Sequence, residues 1–359
     1  MPTFRADLEA IPTYSPGKPI DEVSRELGIF DICKLASNEC PTEPFPEVVA
    51  AIAAAAADVN RYPEDSGFYL VNALAGRHGV DVGQVWLGAG STQLLGCVAL
   101  STGGPGTSAV YANPSFVMYP IATLVSGAKP IEVPLDSRLR LDLAAMLDAI
   151  DDDTTVVYVC NPNNPTGTFR SGADVAAFID AVPPEVLVVV DEAYHHYVTA
   201  PDYESALPIA AERDNVIVTR TFSKIYGLAG LRIGYAIGMA DTIANLRKTQ
   251  PPFSANTIAQ IAALESLAHD DRMAEHAEAN TAGRALLESG LAERGIEYTP
   301  SQANFIAIQV ADDTKEFSDR LLKEGVIVRP MGSIIRVTVG TDHENRRFLE
   351  ALDDVGVTA

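Results

Sequence analysis

The sequence has few cysteines, no long apolar run and no recognisable leader. Its 359 residues include four cysteines, Cys33, Cys40, Cys97 and Cys160, which are scattered without a C-x-x-C pair. This spacing argues against a disulfide framework or a zinc site and fits a reducing cytoplasm. No apolar run approaches the ~20 residues that a membrane-spanning helix needs, and the N-terminus lacks the regions of a secretory signal. We therefore expect a soluble cytoplasmic protein without a membrane partner.

Basic residues are also scarce. The chain has 26 Lys and Arg against 48 Asp and Glu, which gives a formal net charge of −22. Because a phosphate backbone needs a basic protein face, this balance argues against nucleic acid as a partner. An anionic substrate would be repelled at long range, so its binding would need arginines placed locally at the site.

Short β-rich runs alternate with helical patterns through the middle of the chain. The runs are "AVYAN", "KPIEVPL", "TTVVYVCNP", "VLVVVDEAY", "NVIVTRTF" and "RIGYAIG", between residues 109 and 238. Several are continuously apolar, which is typical of parallel strands buried on both faces by helices. A long helical region over about 255–294 and three short strands then predict a smaller α+β domain. We place an N-terminal segment that packs with the small domain at 1–35, the large domain at 36–254 and the small domain at 255–359.

Polar side chains follow three of the apolar runs, in "CNPNNPTG", "VDEAY" and "TRTFSK". In open α/β sheets, ligands bind beyond the carboxyl ends of the strands, so Asn161, Asp191, Tyr194 and Lys224 are expected to converge. Each has an ordinary alternative explanation: a turn former, a helix cap, a core tyrosine and a solvated lysine. Their joint occurrence at successive strand ends favours a shared site.

This set of side chains suits one kind of cofactor. A lysine forms a Schiff base with an aldehyde, and a carboxylate keeps a pyridine nitrogen protonated so that the ring accepts electrons. A phosphate group would need an arginine and backbone amides. Arg232 follows the turn "GLAGL", and "GAGST" at 88–92 leads from a short strand into a helix whose free N–H groups can bind an anion. The motif "GAGST" taken alone is equally typical of an ordinary strand-to-helix turn.

The sequence resembles the fold-type I pyridoxal-phosphate (PLP) aminotransferases over nearly its whole length. Within them it resembles the histidinol-phosphate aminotransferase family and the related aromatic (phenylalanine) aminotransferases. The resemblance rests on "YSPGKP" (14–19), "LASNECP" (35–41), "RYPE" (61–64), "GAGST" (88–92), "NPNNPTG" (161–167), "VVVDEAY" (188–194), "TFSKIYGLAGLRIGY" (221–235) and "VRP…IRVTVGT" (328–341). It implies a large domain with a mostly parallel seven-stranded sheet covered by helices, and a smaller α+β domain.

The resemblance implies roles for individual residues. Lys224, Asp191 and Tyr194 would be catalytic, with Lys224 as the Schiff-base lysine and proton carrier and Asp191 paired with the pyridine nitrogen. Tyr194 and Asn161 would hold the phenolate oxygen. The residues implied to bind the PLP phosphate are Gly90, Ser91, Thr221, Ser223 and Arg232.

Further implied contacts lie at the edges of the pocket. Phe116 matches the ring that stacks on the cofactor, where many relatives carry Tyr. Tyr62 would reach the phosphate of the neighbouring subunit's cofactor, which makes the expected assembly a homodimer with a shared active site. Substrate anions would meet Tyr14, Asn38, Arg329 and Arg336, which the resemblance implies bind the substrate phosphate or the carboxylate of glutamate and 2-oxoglutarate.

The predicted reaction is ping-pong amino transfer between histidinol phosphate and 2-oxoglutarate, in histidine biosynthesis. An aromatic amino acid with its keto acid is the second choice, favoured by "GAGST" and Phe116, and a PLP-dependent phospho-amino-acid decarboxylase is the third. Cys40 stands where an asparagine is common in the family. His195 and His196 follow Tyr194 and are expected to be helix or loop residues, with no metal bound.

Overall fold

The secondary structure was taken from a computed structural model that describes residues 2, 4–11, 13 and 17–356. The strands in chain order are β1 (Cys33–Lys34), β2 (Val85–Gly88), β3 (Ser108–Asn113), β4 (Lys129–Pro134), β5 (Thr154–Cys160), β6 (Leu187–Asp191), β7 (Val216–Thr221), β8 (Gly234–Gly238), β9 (Tyr298–Thr299), β10 (Phe305–Gln309), β11 (Val326–Ile327), β12 (Arg329–Met331) and β13 (Ile334–Thr338). The helices are α1 (Ile20–Leu27), α2 (Pro46–Ala55), α3 (Phe68–His78), α4 (Ser91–Thr102), α5 (Met118–Ser126), α6 (Leu143–Asp148), α7 (Gly172–Ala181), α8 (Leu207–Ala210), α9 (Ala240–Leu246), α10 (Thr257–Ser266), α11 (Asp270–Glu293), α12 (Thr314–Lys323) and α13 (Asp342–Val355).

Seven strands form one mixed sheet in the order β2-β8-β7-β6-β5-β3-β4. Strand β8 is antiparallel to both of its neighbours, and the pairs β3–β4, β3–β5, β5–β6 and β6–β7 are parallel. The prediction of a mostly parallel seven-stranded sheet is therefore confirmed. The crossovers between the parallel strands bring the carboxyl ends of β5, β6 and β7 to one edge.

The continuous apolar runs are explained by burial on both faces. In β6, Val188 and Val190 belong to one apolar cluster and Leu187 and Val189 to another, because alternate side chains point to opposite faces. Helices α2, α3, α6, α7 and α10 supply side chains to the first cluster, and α4, α5 and α9 to the second. The sheet is thus the middle of three layers.

A second sheet, in the antiparallel order β12-β13-β10-β9, lies in the C-terminal part. Its apolar side chains pack with those of α11, α12 and α13, including Leu287, Phe317 and Phe348. The predicted helical region over 255–294 is two helices, and Asp270 and Asp271 begin the second one, where negative charge favours a helix N-terminus.

The N-terminal segment contacts both parts of the chain. Strand β1 pairs in parallel with β11 beside the C-terminal sheet, whereas the 3₁₀ turn Ala6–Ala10 lies against α5. Helix α10, which follows the predicted boundary at residue 254, packs against α2 and α3. The divisions at residues 35 and 254 stay predictions. Across the described part of the chain, every helix is too short or too polar to cross a membrane.

Candidate active site

Polar residues from separate strand ends line one cavity of about 100 Å³. The last residues of β5 and β6, Cys160 and Asp191, lie side by side in the sheet register. Eight of the predicted site residues line the cavity: Ser91, Phe116, Asp191, Tyr194, Thr221, Ser223, Lys224 and Arg232. The structure therefore brings together residues that are far apart in sequence.

Lys224 is half-buried beside this cavity. Its Nζ donates a hydrogen bond of 2.9 Å to the backbone carbonyl of Asn38 and lies 5.5 Å from the centroid of the Tyr194 ring. Burial, helped by the positive charge of Arg336, lowers the pKa of Lys224 to about 7. Much of the amine is therefore neutral and nucleophilic near neutral pH.

Asn38 connects the lysine to its neighbours. Its side-chain Nδ2 donates to the Tyr194 hydroxyl at 3.0 Å, and its backbone N–H donates to Thr338 Oγ1 at 2.9 Å. The side chain is 1% exposed, and the backbone has a φ of +52°, a left-handed conformation that asparagine tolerates better than most residues. Asn38, predicted as a substrate residue, thus also positions Lys224 and Tyr194.

Asp191 is held by a residue that sequence reasoning missed. The Tyr119 hydroxyl donates to Asp191 Oδ2 at 3.0 Å, and the Ala193 N–H donates to Oδ1 at 3.2 Å. Burial raises the pKa of Asp191 to about 6, although these two hydrogen bonds oppose the shift. No basic side chain within the described ranges forms an ion pair with Asp191. This buried carboxylate suits a cationic ring nitrogen.

A candidate anion site lies at the start of α4. Gly90 has a φ of +77° and approaches Arg232 so closely that a Cβ on it would lie 2.6 Å from Arg232 Nη2. Arg232 Nη1 donates to Ser223 Oγ at 3.3 Å, and the Ser223 N–H donates to Thr221 Oγ1 at 3.0 Å. A helix N-terminus, a guanidinium and hydroxyl groups converge here, which is an arrangement that binds phosphate.

The structure places Asn164, and not the predicted Asn161, on the cavity. Asn161 is turned toward the backbone of Arg170, from whose N–H its Oδ1 accepts at 2.8 Å and to whose carbonyl its Nδ2 donates at 3.1 Å. It therefore stabilises the turn and does not line the cavity. Asn164 does line it, and its Oδ1 accepts a hydrogen bond of 2.6 Å from Arg336. The prediction for Asn161 is corrected accordingly.

Arg329 and Arg336 are directly opposite each other on the antiparallel strands β12 and β13. Directly opposed residues lie on the same face of a sheet. Arg336 is 8% exposed, and its Nη2 donates to the Ala36 carbonyl at 2.7 Å. Its contact with Asn164 places Arg336 beside the cavity that holds Lys224.

Tyr62 does not line the cavity of the single chain. Tyr62 is 81% exposed and stacks on Phe253 with 4.6 Å between the ring centroids. Tyr14 lies outside the described residues.

His195 and His196 belong to a 3₁₀ turn, and burial lowers the pKa of His196 to about 3. In the described part of the chain, no group of three or more His, Cys, Asp or Glu residues could hold a metal.

A lysine amine and a buried carboxylate face one cavity at the carboxyl edge of a mostly parallel sheet, which is the arrangement that the resemblance to fold-type I enzymes implies. The chain belongs to the aminotransferase class I and II family, whose model matches residues 31–352. It is therefore an aminotransferase.

Individual relatives cover nearly the whole chain. A histidinol-phosphate aminotransferase of Moorella thermoacetica is 42% identical over 99% of this chain and 93% of its own length. An aromatic amino acid aminotransferase of Streptomyces avermitilis is also 42% identical, over 98% of this chain and 97% of its own. The crystal structure of histidinol-phosphate aminotransferase from Sinorhizobium meliloti in complex with pyridoxal-5'-phosphate superposes with a TM-score of 0.90, at 28% identity and 98% coverage of both chains.

Proposed function

We propose that this aminotransferase uses PLP to move an amino group from histidinol phosphate to 2-oxoglutarate. The observation that carries the proposal is the placement of Lys224 and Asp191 around one cavity, beside the paired Arg329 and Arg336. The full-length similarity to histidinol-phosphate aminotransferases supports this choice of substrate.

The residues present fit each part of PLP. The carboxylate of Asp191 would pair with the pyridine nitrogen, the Phe116 ring would cover the ring face, and Tyr194 with Asn164 would hold the phenolate oxygen. The phosphate would be held by Gly90, Ser91, Thr221, Ser223 and Arg232. When bound, PLP supplies an aldehyde that combines with amines and a ring that withdraws electrons from the substrate carbon.

Lys224 is suited to carry protons during the reaction. Because the pKa of Lys224 is lowered to about 7, its Nζ can both accept and release a proton near neutral pH. The Asn38 carbonyl fixes the position of that nitrogen, at 2.9 Å. Tyr194 and Asn38 close one side of the site, since both are nearly inaccessible to solvent.

The two arginines would allow an acidic protein to bind anionic substrates. Because Arg329 and Arg336 are directly opposite each other on neighbouring strands, both guanidinium groups could contact one bound anion. A guanidinium fork suits both a phosphate and a carboxylate. We propose that the phosphate of histidinol phosphate and a carboxylate of 2-oxoglutarate occupy this position in turn.

We further propose that the enzyme is a cytoplasmic homodimer. Tyr62 and Phe253 form an exposed aromatic pair, and Phe68 and Tyr69 are exposed as well, at 55% and 70%. Exposed aromatic groups of this kind are typical of protein interfaces. In a dimer, Tyr62 would reach the cofactor phosphate in the partner's site, so each active site would need both subunits.

An aromatic amino acid is the alternative substrate, because the Streptomyces avermitilis relative is equally similar to this chain. The test compares kcat/KM for histidinol phosphate and phenylalanine with 2-oxoglutarate as acceptor. We expect histidinol phosphate to be preferred. A preference of more than about tenfold for phenylalanine, ~1.4 kcal/mol in transition-state binding, would overturn the substrate assignment. Release of CO₂ without consumption of a keto acid would instead indicate a decarboxylase.

A further inference from the structure

A second cavity, of about 370 Å³, shares no lining residue with the cavity at Lys224. Cys40, Thr42 and His276 line it, and we call these three residues the thiol cluster. Cys40 Sγ lies 3.1 Å from Thr42 Oγ1, and Thr42 Oγ1 lies 2.9 Å from His276 Nε2. Cys40 Sγ also lies 3.7 Å from His276 Nδ1. The threonine hydroxyl therefore bridges a thiol and an imidazole that come from distant parts of the chain.

The hydrogen bonds of the cluster define a route for the thiol proton. His276 Nδ1 lies 2.9 Å from the Ile225 carbonyl, which can only accept, so Nδ1 carries a hydrogen. In the neutral state Nε2 accepts from Thr42, and the Cys40 thiol donates to Thr42 Oγ1. In the charged state both bonds of the Thr42 hydroxyl reverse, so that Nε2 donates to Thr42 and Thr42 donates to the thiolate, while Nδ1 still donates to the Ile225 carbonyl. One proton thus moves from Sγ to Nε2 through Oγ1 without leaving any group unpaired.

The hydrogen bonds shift the pKa values of both Cys40 and His276 toward the charged state. Burial acts to raise the pKa of Cys40, but the hydrogen bonds of His276 and Thr42 outweigh it and lower the thiol pKa below its ordinary value. The hydrogen bond with Cys40 raises the pKa of His276. The other charged side chains on this cavity, Asp342 and Arg346, pair with each other across one helical turn. Because these two charges are opposite and paired, they add almost no net charge beside the thiol cluster.

Two more observations point to a reactive site. Asn304 lines the same cavity, is 1% exposed, and its Oδ1 has no hydrogen-bond partner among the described residues, so an acceptor is left for an added group. The remaining cysteines, Cys33, Cys97 and Cys160, are buried, with exposures of 1%, 3% and 2%. Cys40 is half-buried and lies on a cavity, so reagents can reach it.

We propose that the thiol cluster is a site of oxidative modification, at which a hydroperoxide converts Cys40 to a sulfenic acid. The thiolate attacks one peroxide oxygen, an S–O bond forms and the O–O bond breaks. The leaving alkoxide or hydroxide takes the proton held on His276. Sulfur loses two electrons and the peroxide gains two, so the thiol and the hydroperoxide become a sulfenic acid and an alcohol or water.

Oxidation of Cys40 would also lower amino transfer, and this step of the proposal rests on the proposed function. Cys40 is two residues from Asn38, whose carbonyl accepts from Lys224 Nζ at 2.9 Å and from Asn304 Nδ2 at 3.1 Å. Asn304 therefore contacts both the second cavity and the carbonyl that positions the lysine. A sulfenic acid hydroxyl that donates to Asn304 Oδ1 would shift Asn304, and with it the Asn38 carbonyl that positions the lysine.

The first test labels the holoenzyme with iodoacetamide at several pH values and maps the adducts by peptide mass spectrometry. We expect Cys40 to react at least about tenfold faster at pH 7 than each of the other three cysteines, because the thiolate is the reactive species. His276→Asn and Thr42→Val should each slow the labelling of Cys40 at pH 7 by about threefold or more. His343→Asn, which changes an exposed histidine outside the cluster, should leave the rate unchanged.

Two results would overturn the proposal. One is labelling of Cys40 at pH 7 no faster than that of a free cysteine, and the other is a rate that neither Thr42→Val nor His276→Asn changes. The labelling test does not involve the substrate, so its result is valid even if the proposed function is wrong.

The second test exposes the holoenzyme to hydrogen peroxide, traps sulfenic acid with dimedone and measures amino transfer. We expect a dimedone adduct on Cys40 and at least about a twofold loss of activity in the unmodified sequence. Cys40→Ser should keep its activity under the same treatment. An equal loss in Cys40→Ser, or adducts on the other cysteines alone, would contradict the proposal.

Discussion

Replacement of Tyr119 by phenylalanine isolates the hydrogen bond that holds Asp191. The Tyr119 hydroxyl donates to Asp191 Oδ2 at 3.0 Å, and both side chains are buried, at 0% and 2% exposure. The phenylalanine ring fills the same space, so the change removes a hydrogen bond without a cavity. A hydrogen bond to a charged group contributes about 1.5–3 kcal/mol. Its loss should therefore raise the pKa of Asp191 by about one unit or more, since one unit is about 1.4 kcal/mol.

The size of the effect depends on pH in a way that can be calculated. With the pKa of Asp191 at about 6, its carboxyl is about half ionised at pH 6 and nearly fully ionised at pH 8. A rise of one unit lowers the ionised fraction at pH 6 to about one tenth. Since PLP needs the carboxylate, the variant should bind PLP about fivefold more weakly at pH 6 and almost equally well at pH 8.

The assay titrates apoenzyme with PLP from pH 5.5 to 8.5 and compares Kd for the variant and the unmodified sequence at each pH. The ratio cancels the titration of Lys224 and of the PLP phosphate, which both proteins share. Tyr158→Phe is the matched control, because Tyr158 stacks on Tyr119 at 4.8 Å and its buried hydroxyl has no hydrogen-bond partner among the described residues. A Kd ratio that does not change with pH, or an equal effect of Tyr158→Phe, would refute the reasoning.

Three further pairs of substitutions test other parts of the site. Arg336→Lys keeps the positive charge but loses the guanidinium fork that contacts Asn164 and the Ala36 carbonyl. KM for anionic substrates should therefore rise at least about tenfold. The control Arg346→Lys, on the exposed face of α13, should leave KM unchanged. Asn164→Ala should lower kcat about tenfold or more, because it removes a contact in the cavity. Asn161→Ala should mainly lower Tm, because the hydrogen bonds of Asn161 only hold the turn. Equal losses of kcat in the two variants would contradict the correction from Asn161 to Asn164. Gly90→Ala should weaken PLP binding, because the new Cβ would collide with Arg232. The control Gly96→Ala should not, because a Cβ at Gly96 meets open space. Equal Kd values for PLP in both variants and the unmodified sequence would argue against a phosphate site at Gly90.

The sheet and the central residues of the site were predictable because their signals are local. The run "VLVVVD" is continuously apolar and ends in Asp191, and "NVIVTRTFSK" leads from a buried strand to Lys224. Buried parallel strands with polar ends are enough to indicate where a ligand binds. The arginines of β12 and β13 were found through the family resemblance, since one arginine in a strand carries no such signal.

The contacts that were missed depend on long-range packing. Tyr119 lies in an apolar helical run and looks like a core residue, and only the packing of α5 on the sheet brings its hydroxyl to Asp191, 72 residues away. Three asparagines lie within "NPNNPTG", and the turn conformation decides that Asn164 lines the cavity while Asn161 does not. Thr42 and His276 are 234 residues apart in sequence, so the thiol cluster also required the fold.

The most direct test of the account asks which amine holds the cofactor. The holoenzyme is reduced with borohydride, which fixes PLP on the amine that carries it, and the labelled peptide is identified by mass spectrometry. The account predicts that PLP is attached to Lys224, and that Lys224→Ala neither forms the adduct nor transfers amino groups. An adduct on another lysine, or amino transfer by Lys224→Ala, would contradict it.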